Sequence, residues 1–144
     1  MLGKATSGME EKMFYGGNVT VYVSNMDSAV RFYSDTLGLR LAYRFGDQFA
    51  SVEAGKGLTI GLHPASTEFP AGRKGSMAIG LELNESIRDA VRTLESRGVR
   101  FLGTIHQDKS GSYAHFDDPD GNRLYIVELD RNHVAKGSGE YQHA

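Results

Sequence analysis

The sequence predicts an α+β domain of two paired βαβββ modules, a curved mixed sheet around a cleft with its helices outside. Three observations predict it. Two stretches, "NVTVYVSNMDSAVRFYSDTLGLRL" from Asn18 and "AIGLELNESIRDAVRTLESRGVRF" from Ala78, start 60 residues apart and share one plan of strand, helix, glycine and strand. Each is followed by extended segments punctuated by glycine turns. One helix per module covers only one face of its sheet, so the other face needs a partner or a ligand.

The elements follow in order. Val19, Val21 and Val23 alternate with Asn18, Thr20 and Tyr22, the period of a strand with one face on a core. Met26, Val30, Tyr33 and Leu37 then recur at helical spacing, with Ser24 or Asp27 as cap and Gly38 as the left-handed stop. Phe32 and Tyr33 fall on this helix and are expected in the core. Extended segments are expected at 40 to 45, 48 to 54 and 58 to 63. "PASTEFPAGRKG", residues 64 to 75, holds two of the three prolines and reads as a linker. In the second module Ile79, Leu81 and Leu83 mark the strand, and Asn84 is the expected cap. Ile87, Val91 and Leu94 form the helix face, and Gly98 stops it. Extended segments at 99 to 105, 112 to 117 and 123 to 129 complete it. The expected organisation is a tail at 1–16, one domain at 17–129 (modules 17–63 and 76–129), and a tail at 130–144.

Composition narrows the partners. Sixteen Lys and Arg against eighteen Asp and Glu leave a net charge of -2, without the basic field that nucleic acid or an anionic membrane attracts. No apolar stretch approaches the roughly 20 residues of a membrane span. "MLGKATSGMEEK" lacks a signal peptide's apolar core, so the cytoplasm is the expected compartment. With no cysteine, disulfides, thiolate nucleophiles and zinc–thiolate sites are excluded.

The motifs "FYSDTLGL" and "DPDGN", with "LTIGLHP" closing the first module and "DDPDGNRLYIVEL" the second, resemble the vicinal oxygen chelate superfamily over residues 17 to 129. That superfamily includes glyoxalase I, bleomycin-resistance proteins and extradiol dioxygenases. The resemblance implies a homodimer, with the cleft within one chain or across two, and places the usual metal ligands at Asn18, Gly61, Ala78 and Tyr125. Glycine and alanine offer no side-chain donor, and neutral Asn and Tyr are poor substitutes for imidazole and carboxylate. A one-residue slip turns Val19, Ile60, Leu62, Ile79 and Leu124 to those places, so register does not restore a metal site. The expectation is no metal and no cofactor. The acidic run reads as a turn, with Asp118 first, Pro119 second and Gly121 at positive φ. Its glycine comes too early for a calcium loop.

Alternation gives the inward face as Asn18, Thr20, Tyr22, Thr59, Gly61, His63, Ala78, Gly80, Glu82, Tyr113, His115, Tyr125 and Val127. Small residues at Gly61, Ala78 and Gly80 suggest room for a planar or bulky ligand. The expected ligand-binding set is Asn18, Tyr22, His63, Glu82, Tyr113, His115 and Tyr125. The leading reading is a metal-independent small-molecule-binding protein that holds an aromatic or heterocyclic compound. The alternatives are a glyoxalase-like lyase or isomerase moving a proton beside a carbonyl, a metal-dependent member with a displaced His63, His115 and Glu82 site, and a surface serving only association.

Overall fold

The computed structural model describes Met13 and residues 17–72 and 77–130. Met13 and Asp130 aside, the two expected tails lie outside the described residues, as does the end of the linker. The first module runs β1 (Val19–Val23), α1 (Met26–Val30), a π-helical turn (Arg31–Thr36), β2 (Arg40–Phe45), β3 (Phe49–Ala54) and β4 (Leu58–Pro64). The second runs β5 (Ile79–Glu82), α2 (Ile87–Ser96), β6 (Phe101–Asp108), β7 (Gly111–Asp117) and β8 (Arg123–Leu129). The strands form two four-stranded mixed sheets, ordered β1-β4-β3-β2 and β5-β8-β7-β6, with no closed barrel. In each, the first strand pairs parallel with the last, Val19 opposite Ile60 and Ile79 opposite Leu124. The predicted βαβββ repeat is therefore present twice, and β1 and β5 each keep one edge outside their own sheet.

Alternation works as the sequence implies. Val21 and Val23 on β1, Ile60 and Leu62 on β4, and Ala50 and Val52 on β3 are buried against α1; Leu81, Leu124, Ile126, Ala114 and Phe116 are buried with α2. All belong to one core that joins the modules. Phe32 packs on Phe116 at 6.3 Å between ring centroids.

The caps differ from expectation. Asn25, not Ser24 or Asp27, caps α1, its side chain accepting from the Ser28 amide. Ser86, not Asn84, caps α2. In both places the residue in the extended conformation just before the first turn has its oxygen aimed at the orphan amides, whereas Asp27 is already inside the helix.

The π turn has a cause visible in the repeat. Buried Met26, Ala29 and Tyr33 match buried Ile87, Ala90 and Leu94 at an offset of 61 residues, but the stops Gly38 and Gly98 match at 60. Before its glycine, the first helix must absorb one extra residue. A widened turn does so, with the Leu37 amide donating to the Phe32 carbonyl five residues back. It leaves Tyr33 wholly buried and pointing at the second module.

Candidate functional site

The residues on the face opposite the helices are set by register. In the first sheet Tyr22 stands beside His63, and Thr20 and Ser51 flank Gly61. In the second, Gly80 and His115 flank Tyr125, while Glu82 and Tyr113 flank Val127. The expected set thus divides into two aromatic groups. Tyr22 and His63 lie 6.2 Å apart, Tyr113 and Tyr125 6.2 Å, and His115 and Tyr125 5.2 Å between ring centroids.

Each group gains members that alternation did not include. Phe69, in the linker, stacks on Tyr22 at 4.9 Å and 10°, and Phe49 meets His63 edge-on at 4.9 Å. Tyr43 extends the first group and His106 the second. The period of "FASVEA" could have supplied Phe49, but nothing in the linker's spacing points Phe69 at Tyr22. A hollow of about 370 Å³ opens at this junction, lined by Thr20, Tyr22, Phe69, Ala78 and Arg123 among others. Arg123 is held by Asp117 at 2.6 Å.

The glycines do not leave the free volume expected of them. A methyl on Gly80 would overlap the Tyr125 ring, which therefore lies across it. At Gly61 an added carbon would sit 3.4 Å from the Phe49 ring and 3.6 Å from His63. Small residues here let rings lie close to the backbone, so the space beside Gly61 and Gly80 is taken by rings.

The remaining members are dispersed. Asn18 precedes β1 and is exposed; Glu82 is exposed on β5 and makes no hydrogen bond or ion pair with the described residues. The Tyr113 hydroxyl donates to Asp108 at 3.0 Å and also meets Ser110, so it is engaged by the β6–β7 turn. Hydrogen bonds from the Ser110 hydroxyl and amide, then from Tyr113 and Gly111, hold the Asp108 carboxyl below the usual aspartate value. His63 belongs to the first sheet, while His115 and Glu82 sit on different strands of the second. Among the described residues no three His, Asp or Glu side chains form a group able to hold a metal ion.

The acidic run is turn chemistry carried further than the sequence implied. The Gly121 amide donates to the Asp118 carbonyl at 2.9 Å, and Gly121 has φ +90°. The Asp118 carboxylate is buried and accepts four hydrogen bonds: from the Asp120 and Asn122 amides, the Asn122 side chain and the Tyr33 hydroxyl. Asp120 in turn accepts from the amide and hydroxyl of Ser24. These carboxylates fasten the end of β1 and the first helix to the second module. Burial first, then the Asp118 charge and hydrogen bond, raise the Tyr33 pKa well above the usual phenol value.

The chain is 28% identical to YetH of Bacillus subtilis (strain 168) over 115 residues, 78% of this chain and 96% of that protein. It is 27% identical to a glyoxalase/bleomycin resistance protein from Streptomyces sp. CB03234, with a TM-score of 0.59 over 77% of this chain and 99% of that one. TnmS3, an antibiotic binding protein from the same Streptomyces, shares the fold at 23% identity, with a TM-score of 0.68 over 83% of this chain and all of that one. The model of one family matches residues 17–126, nearly the whole of both modules. With its two βαβββ units, its FYxxxLGL helix and its DPDG turn in place, the chain belongs to the Glyoxalase/Bleomycin resistance protein/Dioxygenase superfamily.

Proposed function

We propose that the protein binds a small, flat aromatic or heterocyclic compound on the aromatic faces around Tyr22 and Tyr125, without a metal ion. The observation that carries this reading is the chemistry at Asn18, Gly61, Ala78 and Tyr125. The family resemblance puts metal ligands at these four positions, and here two of them lack a side-chain donor atom. What stands there instead is ring surface: Tyr125 across Gly80, and Phe49 and His63 beside Gly61. Asn, Gly, Ala and Tyr at these four positions do not fit a divalent first-row ion. Rings laid on glycine backbone offer broad stacking area with few torsions to freeze. His63 and His115, each next to a ring, supply polar edges for orientation.

The antibiotic binding named for TnmS3 shows one use of this scaffold; at that identity it speaks for the fold, and the rings of this chain speak for the ligand class. A homodimer is part of the proposal. Tyr43 and Phe45 on β2 and Leu102 on β6, the outer strands of the two sheets, are 55%, 61% and 44% exposed, and a second copy could close the faces into a deeper cleft. The test is native mass spectrometry of the purified full chain with a panel of planar aromatic antibiotics, recording ligand, metal and oligomer together. Binding of a panel member that Tyr125→Ala weakens supports the reading. Binding only after a transition metal is added would overturn it.

A further inference from the structure

The two modules are joined at two counterpart places, and only one of them is filled. In the first, the end of β1 and the helix after it meet the β7–β8 turn, closed by Tyr33 on Asp118 and Ser24 on Asp120. The matching strands pair in the same register, Val19 with Ile60 and Ile79 with Leu124, so the β3–β4 turn is the counterpart of the β7–β8 turn. Ala54 therefore stands where the other end has Asp118, and buried Leu94 where it has Tyr33. Neither can make the bond that closes the first place. A groove of about 830 Å³ lies there instead, between Ala54, Gly55, Gly57 and Leu58 on one side and the end of β5 with α2 on the other.

The lining of the groove sets its chemistry. Leu37, Leu39, Leu58, Leu81 and Leu94 give it apolar walls, and Glu82 and Glu85 are its carboxylates. Both glutamates are exposed and make no hydrogen bond or ion pair with the described residues. Arg97, the one cation in the lining, is already held by the Thr36 carbonyl at 2.9 Å. Leu83 turns its backbone toward β8, donating to the Val127 carbonyl, and in a parallel pair alternate residues do likewise. The amides and carbonyls of Gly80 and Glu82 thus both face the free edge, beside the groove. The edge offers donors and acceptors alike, so the charge preference rests on the carboxylates: two unpaired glutamates against the one charge of Arg97 favour a cation. The volume falls in the range of roughly 300 to 1,000 Å³ typical of small-molecule sites.

We propose that this groove is a second ligand site, distinct from the aromatic faces, that takes a small organic cation with an apolar body. The ammonium or guanidinium end lies by Glu82 and Glu85, and the body rests on the leucines.

The test uses the full chain, labelled with ¹⁵N and titrated with 4-phenylbutylammonium, with 4-phenylbutanol as the uncharged control. The amine is expected to shift the amide signals of Leu39, Gly55, Gly57 and Glu85, and the alcohol to bind more weakly. Glu85→Gln should weaken the amine about threefold, the scale of one partly exposed charge pair. Thr93→Tyr, which sends a ring into the groove from an exposed helix position, should weaken it more than tenfold, and Ala54→Leu provides a second block should that variant melt early. Tyr22→Ala, on the aromatic face of the other module and outside the groove lining, should leave the amine's affinity unchanged, which separates this site from the aromatic faces. Equal binding of amine and alcohol, signals that move around Tyr22 and Phe69 instead, or undiminished binding to the blocked variants would overturn the proposal.

Discussion

Tyr33→Phe removes one hydroxyl from the middle of the joint between the modules and nothing else. The ring stays buried, so no cavity term arises, and the Asp118 carboxylate keeps three of its four donors. A hydrogen bond to a charged acceptor contributes about 1.5 to 3 kcal/mol net, and that range is the expected loss of stability at neutral pH. For a domain of this size it corresponds to a fall in Tm of about 5 to 12 °C. The pH dependence gives a second, independent readout. The folded Tyr33 pKa is raised, so the folded chain keeps a proton that the unfolded chain releases from about pH 10 upward. Stability from this group is therefore complete below about pH 10 and falls as pH rises further, by about 1.4 kcal/mol per pH unit. The variant lacks that group, so the gap between the two proteins should narrow above about pH 10. Urea melts at pH 7 and pH 11 measure both effects. A Tyr33→Phe protein within about 0.5 kcal/mol of the parent at pH 7, or a gap that widens at pH 11, would refute the reading of Asp118 as a joint.

Other contacts in the fold carry expectations of the same kind. Gly72→Ala should destabilise by about 1 to 3 kcal/mol in a thermal melt, because Gly72 has φ +69° and an added carbon would run into the Asp120 carbonyl. Gly80→Ala should change the tyrosine near-ultraviolet circular dichroism by pushing the Tyr125 ring aside, while Gly61→Ala, whose nearest neighbour is 3.4 Å away, should leave the spectrum close to the parent's. Tyr125→Ala should weaken a confirmed aromatic ligand by about 1 to 3 kcal/mol by calorimetry. The same change should lower stability less than Leu81→Ala, whose buried side chain leaves a cavity worth about 2 to 5 kcal/mol. EDTA should leave Tm unchanged, and a fall in Tm would count against the metal-free reading.

The elements that alternation and helical spacing describe were legible because burial on one face imposes the period directly. Val21 and Val23, or Ile87 and Leu94, can be placed only one way once a strand and a helix share a core. Caps were less legible, since Ser24, Asn25 and Asp27 all have a suitable oxygen and backbone conformation selects among them. The π turn left no local mark and shows only when buried positions of the two helices are compared. At the candidate site, alternation found which residues share a face but not what fills the space above them. Gly80 reads as room in a sequence; in the fold that room belongs to Tyr125, and Phe69 reaches Tyr22 from a linker with no period to read. The joint at Asp118 was half legible: its turn follows from Asp, Pro and Gly, but its fourth donor comes from Tyr33, 85 residues away.

The repeat shows how the face opposite the helices can vary without a change of fold. Equivalent places in the two sheets carry unlike side chains: Thr20 and Gly80 on the first strands, Gly61 and Tyr125 on the last, Phe49 and Tyr113 between. In each module a ring nevertheless lies against a glycine, supplied by β3 in one and by β8 in the other. The helix-facing positions allow no such exchange, because Ile60, Leu62, Leu124 and Ile126 are all at most 2% exposed, and a change of volume there is felt throughout a close-packed core. Fold and the proposed recognition thus lie on opposite faces of the same strands. On the proposed reading a substitution on the aromatic face acts chiefly on binding and one on the helix face on stability, while the open joint draws on both faces, with Gly80 and Glu82 from one and Leu81 and Leu94 from the other.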